Sequence, residues 1–143
     1  MTTAKVTTNA AQVKTRMKNR GKAAENEIKR LLVAATDRVH ATVINGISKQ
    51  GRGRWYGKHQ ASAAGDYPAT DLKGLRMNMS KQMDLVNKIG RVTSSANYSK
   101  HLEYGTVNMA PRPFMVPSLE KNRAIIMLSF RDAGLLRKGG KSG

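Results

Sequence analysis

From about Ala10 to Asn45 the apolar positions recur at three- and four-residue steps. Met17, Ala24, Ile28, Leu31, Leu32, Ala35, Val39 and Val43 form one stripe, which predicts a long α-helix. Asn45-Gly46 supplies a C-terminal stop, because glycine accepts the left-handed cap conformation. Gly21 divides a basic first half from an apolar second half. Residues 47–74 lose periodicity and hold Gly51, Gly53, Gly57, Gly65 and Pro68, so they read as one long loop. Leu75, Met77 and Met79 then alternate with Arg76, Asn78 and Ser80, the period of a half-buried strand. A second strand is predicted over Val86 to Ser94, making a hairpin. Asn97 is placed to cap a short helix through Tyr98, Leu102 and Glu103 that stops at Gly105. After a proline-bearing loop from Thr106 to Phe114, Pro117 suits the first turn of a last helix. That helix runs to about Asp132, with Leu119, Ile126 and Phe130 on one stripe, and Gly134 ends it.

The pattern gives an α+β fold: a long N-terminal helix, a small antiparallel or mixed sheet, and a C-terminal helix packed on the sheet. The predicted organisation is a mobile arm over residues 1–9, one domain over 10–134, and a disordered basic tail over 135–143. A length of 143 residues fits a single domain. Hydrophobic residues are 39% of the chain and aromatics 5%, so the core should be modest and aliphatic.

Charge changes the picture most. Twenty-six Lys and Arg against nine Asp and Glu give +17, a surface that attracts polyanions, whether nucleic acid or an acidic protein face. The absence of cysteine excludes disulfides and thiolate metal sites. No apolar run is long enough to span a membrane, and Met1 to Ala11 does not read as a secretory signal.

Candidate chemistry is sparse. His40 sits one residue past the helical stripe, and His59 lies in the glycine-rich loop with no carboxylate placed to orient it. His101 and Glu103 are two apart on a helix and face different ways. No metal-ligand spacing occurs, and Gly140-Lys141-Ser142 has Leu135 where a phosphate loop needs its first glycine. The reading is therefore a non-enzyme, with no catalytic, cofactor or metal residues. Arg52, Arg54, Trp55 and Tyr56 are the candidate interface: arginine and tryptophan are enriched at subunit contacts, and they also hold phosphate and stack on bases.

The strongest local signal is Tyr98-Ser-Lys-His-Leu-Glu103-Tyr-Gly105-Thr106, followed by Arg112-Pro113-Phe114-Met-Val-Pro117-Ser-Leu119. It resembles the C-terminal signature of the phage minor tail component family of long-tailed bacteriophages, the "gene product ten" type. There the pattern reads roughly Tyr-Ala-x-x-Val-Glu-Phe-Gly-Thr and then Arg-Pro-Phe-Leu-x-Pro-Ala-Leu. Ser99 and Tyr104 depart from it mildly. Upstream, Ser62-Ala-Ala-Gly65-Asp-Tyr-Pro68-Ala-Thr-Asp71-Leu-Lys-Gly74-Leu75 is similar to the family's Ser-Ala-Pro-Gly-x-x-Pro-x-x-Asp-Thr-Gly-x-Leu, with one residue inserted before Gly74. The resemblance implies a structural virion protein, assembled in the host cytoplasm, that completes the tail or joins head to tail. It implies a homo-oligomeric ring, of six subunits, touching neighbouring neck and tail proteins and close to the DNA passage. The rival class is a free basic nucleic-acid-binding protein.

Two further expectations concern the charged residues. Glu103, near the end of its helix, is disfavoured by the helix dipole and needs a cationic partner, for which Arg112 is closest in sequence. The basic start of the first helix and the Gly51 to Lys58 loop are expected to meet acidic faces of neighbouring virion proteins. The glycines would let the loop order on assembly.

Overall fold

The protein is described by a computed structural model covering residues 10–49, 51–69 and 74–135. The arm over 1–9, Asp71 and all but the first residue of the tail lie outside the described residues. The elements run α1 (Ala10–Ile47), β1 (Trp55–Tyr56), β2 (His59–Gln60), α2 (Gly74–Met77), β3 (Met79–Asp84), β4 (Ile89–Ser94), α3 (Ser99–Tyr104) and α4 (Met115–Asp132). The fold is α+β, and α1 is its spine: the β3–β4 hairpin packs on one part of it and α4 lies along another.

Helix α1 continues through Asn45-Gly46 to Ile47, so Gly46 is not its stop. A Cβ at Gly46 would sit 2.3 Å from the Tyr67 ring. The missing side chain is thus a packing requirement rather than a cap. Gly21 does not interrupt the helix either. Leu31, Thr36, Val43 and Ile47 are buried on α1, whereas every residue from Ala10 to Ala23 is exposed.

The expected strand over Leu75 to Ser80 is half helix. Residues 74–77 form α2, closed by the Asn78 N–H donating to the Gly74 carbonyl at 3.1 Å. Leu75 and Met79 are four apart and both are buried, while Met77 is 77% exposed. Leu75 and Met79, four apart, share a face in a helix and in a strand alike, whereas Met77 joins them only in a strand, so its exposure tells the two apart. The hairpin itself begins at Met79, pairing antiparallel from Met79↔Ser94 to Asp84↔Ile89. Its outer face carries Ser80, Gln82, Arg91 and Thr93, with the Ser80 and Thr93 hydroxyls 2.8 Å apart. That polar face needs no second layer.

The inner face meets α1 closely. A Cβ at Gly90 would lie 1.9 Å from Thr36 Oγ1, so glycine sets the approach of β4 to the helix. Lys81 bridges to Asp37 at the same contact. Behind it, Val43, Ile47, Leu75, Met79, Ala96 and Phe114 form one buried cluster. Phe114, at the head of α4, has no exposed surface and joins the helical layer to the hairpin.

The loop over 47–74 is more ordered than expected. It contains the two-residue hairpin β1–β2, with Gly57 at φ +61° in its turn. Asn97 does not cap α3: the N-cap is Tyr98, without a side-chain cap bond, and Ser99 Oγ donates to the Ala96 carbonyl instead. Helix α4 ends as its sequence predicts. Gly134 has φ +73°, its N–H donates to Arg131, and the Leu135 N–H donates to Phe130, the two bonds of a Schellman motif. Its buried face, however, is polar. Ser118 and Asn122 are buried, while Leu119 is 46% exposed and Ile126 and Phe130 are only half-buried. Asn122 bridges the helices, donating to Thr42 Oγ1 at 2.9 Å and to the Ser118 carbonyl at 2.7 Å. The Tyr67 and Ser118 hydroxyls are 2.9 Å apart on the same seam.

Candidate functional site

Helix α4 begins at Phe114, whose side chain offers no cap. The first four positions of a helix leave their N–H groups without intrahelical acceptors, and with Pro117 lacking an N–H three amides here need them. Glu103 supplies them from the end of α3: one carboxylate oxygen accepts from the Phe114 and Met115 amides at 2.9 and 3.1 Å, the other from Val116 at 3.0 Å. A carboxylate there also meets the positive end of the α4 dipole. The expected pairing with Arg112 is therefore corrected. Glu103 escapes the unfavourable end of its own helix by capping the next one.

Arg112 has a separate task. Its Nε donates to the Ser62 carbonyl at 3.1 Å, and its N–H donates to the Leu102 carbonyl at 2.7 Å. The Gly65 N–H reaches the Pro111 carbonyl at 3.0 Å. Gly105, at φ +76°, has no room for a Cβ, which would lie 2.8 Å from the Met109 carbonyl oxygen. Its turn closes with a Thr106↔Met109 bridge. Pro113 disfavours helical backbone at Arg112, and Pro117 sits in the first turn of α4, where no intrahelical donor is lost. Tyr98 and Leu119 remain 40% and 46% exposed. The motif over 98–119 is thus a joint that ties α3, α4 and residues 62–65 together.

The candidate interface residues border this joint on the side of residues 62–66. Arg52 makes a two-pronged contact with Asp66 at 3.1 and 3.2 Å. Arg54 stands over the Tyr56 ring, 5.7 Å from its centroid. Trp55 and Tyr56 are 55% and 61% exposed. Gly51 and Gly53 press against the backbone of Gln60, Ala61 and Ser62, where a Cβ would fall within 2.2–2.9 Å. Close approach, rather than freedom to order later, accounts for those glycines. An open cleft of about 730 Å³ lies beside them, with Lys49, Arg52, Asp66, Tyr67, Pro113 and Lys121 on its walls. Lys121 Nζ stands 4.5 Å from the centre of the Tyr67 ring.

No family model, curated protein or solved structure matches this chain.

Among the described residues no three His, Asp or Glu side chains come together as a metal site. No helix among them is long and apolar enough to cross a membrane. His40 is half-buried within α1 and His101 is exposed on α3. The Glu103 cap was readable in principle. A helix that starts at Phe114-Met115 with no polar cap of its own requires an acceptor from elsewhere, and Glu103 is the first carboxylate upstream of that start.

Proposed function

We propose that the chain is a non-enzymatic structural subunit of a bacteriophage virion, completing the tail or joining it to the head as one member of a ring. The phage assignment rests on the motif resemblance. The subunit reading is carried by the surface: among the described residues seven hydrophobic side chains are buried, while seventeen large ones are exposed. Several of the exposed ones cluster. Val116, Leu119 and Met127 project from one side of α4, bordered by half-buried Ile126 and Phe130. Two tips are apolar as well, Val86 on the β3–β4 turn and Val107 on the turn after α3, at 86% and 103% exposure. Surfaces of this kind mark contacts with other chains. Among the described residues the β3–β4 sheet also has no strand paired to either outer edge, and ring closure buries such edges and patches repeatedly. A free nucleic-acid-binding protein, the competing reading, leaves these apolar patches without a role.

Deletion of the gene is the decisive experiment. We expect filled heads and complete-length tails that fail to join productively, restored by expression of the chain in trans. Normal infectious virions from the deletion would overturn the reading. Native mass spectrometry of the purified chain, alone and with its neighbours, reports the number of subunits in the ring; six is expected.

A further inference from the structure

Among the described residues nothing packs over the first third of α1, which is a basic rod. Ala10 to Ala23 are all exposed, a projection of about 21 Å at 1.5 Å per residue. Lys14, Arg16, Lys18, Arg20 and Lys22 fall within it, and the first acidic residue of the helix is Glu25. None of the five makes a side-chain hydrogen bond or ion pair among the described residues, whereas the acids and cations just beyond them pair off as Glu25–Lys29 and Glu27–Arg30.

This arrangement works against its own helix. Lys14, Lys18 and Lys22 are like charges four apart, which repel, and cations in the first turns oppose the helix dipole. A polyanion would reverse both effects.

The angular pattern narrows the choice of polyanion. At 100° per residue, Lys14, Lys18 and Lys22 span 80° of one flank, and Arg16 and Arg20 lie on the flank opposite, about 180° away. Gln12, Thr15 and Asn19 occupy the edge between the flanks, and Val13, Met17 and Gly21 the other edge. A flat acidic protein face can reach one flank at a time. A groove with two anionic walls reaches both. The major groove of B-DNA is about 12 Å wide and an α-helix with side chains about 10–12 Å across.

From this we propose that the Ala10–Ala24 segment of α1 binds double-stranded DNA by lying in the major groove, with lysines on one phosphate wall and arginines on the other. The amide and hydroxyl edge faces the groove floor. Five phosphate contacts carry the affinity and short side chains line the floor, so binding tolerates many sequences. This departs from the expectation that the segment meets an acidic protein. It rests on the charge pattern alone and stands whether or not the chain forms a ring.

The test is a salt titration of the full chain binding a fluorescent 20-base-pair duplex, with helicity checked by circular dichroism. Five contacts give a log–log slope of about −4.5, or roughly a 500-fold loss of affinity between 50 and 200 mM salt. Lys14→Gln/Lys18→Gln/Lys22→Gln should flatten the slope by about 2.7, and Arg16→Gln/Arg20→Gln by about 1.8. Methyl green, which occupies the major groove, should displace the chain. Slopes unchanged by either flank, or sensitive to only one, would overturn the proposal. So would poly-glutamate competing as well as duplex at equal charge, which would return the segment to an acidic protein partner.

Discussion

Replacing Glu103 by alanine removes the acceptor for three amides at the start of α4. Loss of a helix N-cap costs about 0.5–2 kcal/mol, and loss of a carboxylate from the positive end of the dipole about 0.3–1 kcal/mol. The Phe114 and Met115 amides are also part-buried, and an unsatisfied buried donor costs about 1–3 kcal/mol. These terms overlap, so the expected cost is about 3 kcal/mol, or about 10 °C in melting temperature for a chain of this length. Glu103→Gln keeps an acceptor and loses the charge, and should cost about 1 kcal/mol. Urea unfolding followed at 222 nm measures both. A double-mutant cycle with Arg112→Ala separates the cap from an ion pair. Because Arg112 is bonded to Ser62 instead, the coupling should stay below about 0.5 kcal/mol. A cost for Glu103→Ala under about 0.5 kcal/mol, as for an ordinary surface site, would refute the cap. Coupling that accounts for most of the loss would restore the salt bridge.

Gly90→Ala should destabilise by about 1–3 kcal/mol, because its Cβ would lie 1.9 Å from Thr36 Oγ1. Adding Thr36→Ala should recover much of that loss, and a strictly additive double mutant would show that the clash is not the cause. Asp84 caps its turn by accepting from the Asn87 N–H at 3.0 Å, a bond that with the Asn87 side chain holds its carboxyl below the ordinary aspartate value. A depressed folded pKa stabilises above the unfolded value of about 3.9 and is lost as pH falls through the folded one. The urea midpoints of wild type and Asp84→Asn should accordingly converge in acid. A constant offset between them down to the acid limit would contradict this.

Elements whose signals are local could be read directly from the order of residues. The stripe of α1, the Pro117 start and Gly134 stop of α4, the Gly105 stop of α3 and the second strand of the hairpin all lie close to where their periodicity and turn residues put them. The residues of the joint over 98–119 were legible for the same reason, since prolines and a positive-φ glycine constrain their neighbours within a few positions. What the tertiary structure decided was every choice between two locally permitted answers. The Leu75–Met79 spacing satisfies both periods, and the core buries those two while leaving Met77 out on the turn of α2. Gly46 reads locally as a stop, and Gly90 lies unmarked within the predicted second strand. They are glycine because Tyr67 and Thr36, distant in sequence, press against them. Glu103 had two candidate partners, a nearby cation and a helix start eleven residues on, and only the folded path of Thr106 to Pro113 brings that helix start to the carboxylate. The burial of Ser118 and Asn122 in place of Leu119 has the same origin. Tyr67 and Thr42 meet that side of α4 with hydrogen-bonding groups, and no pattern within the helix encodes what stands opposite it.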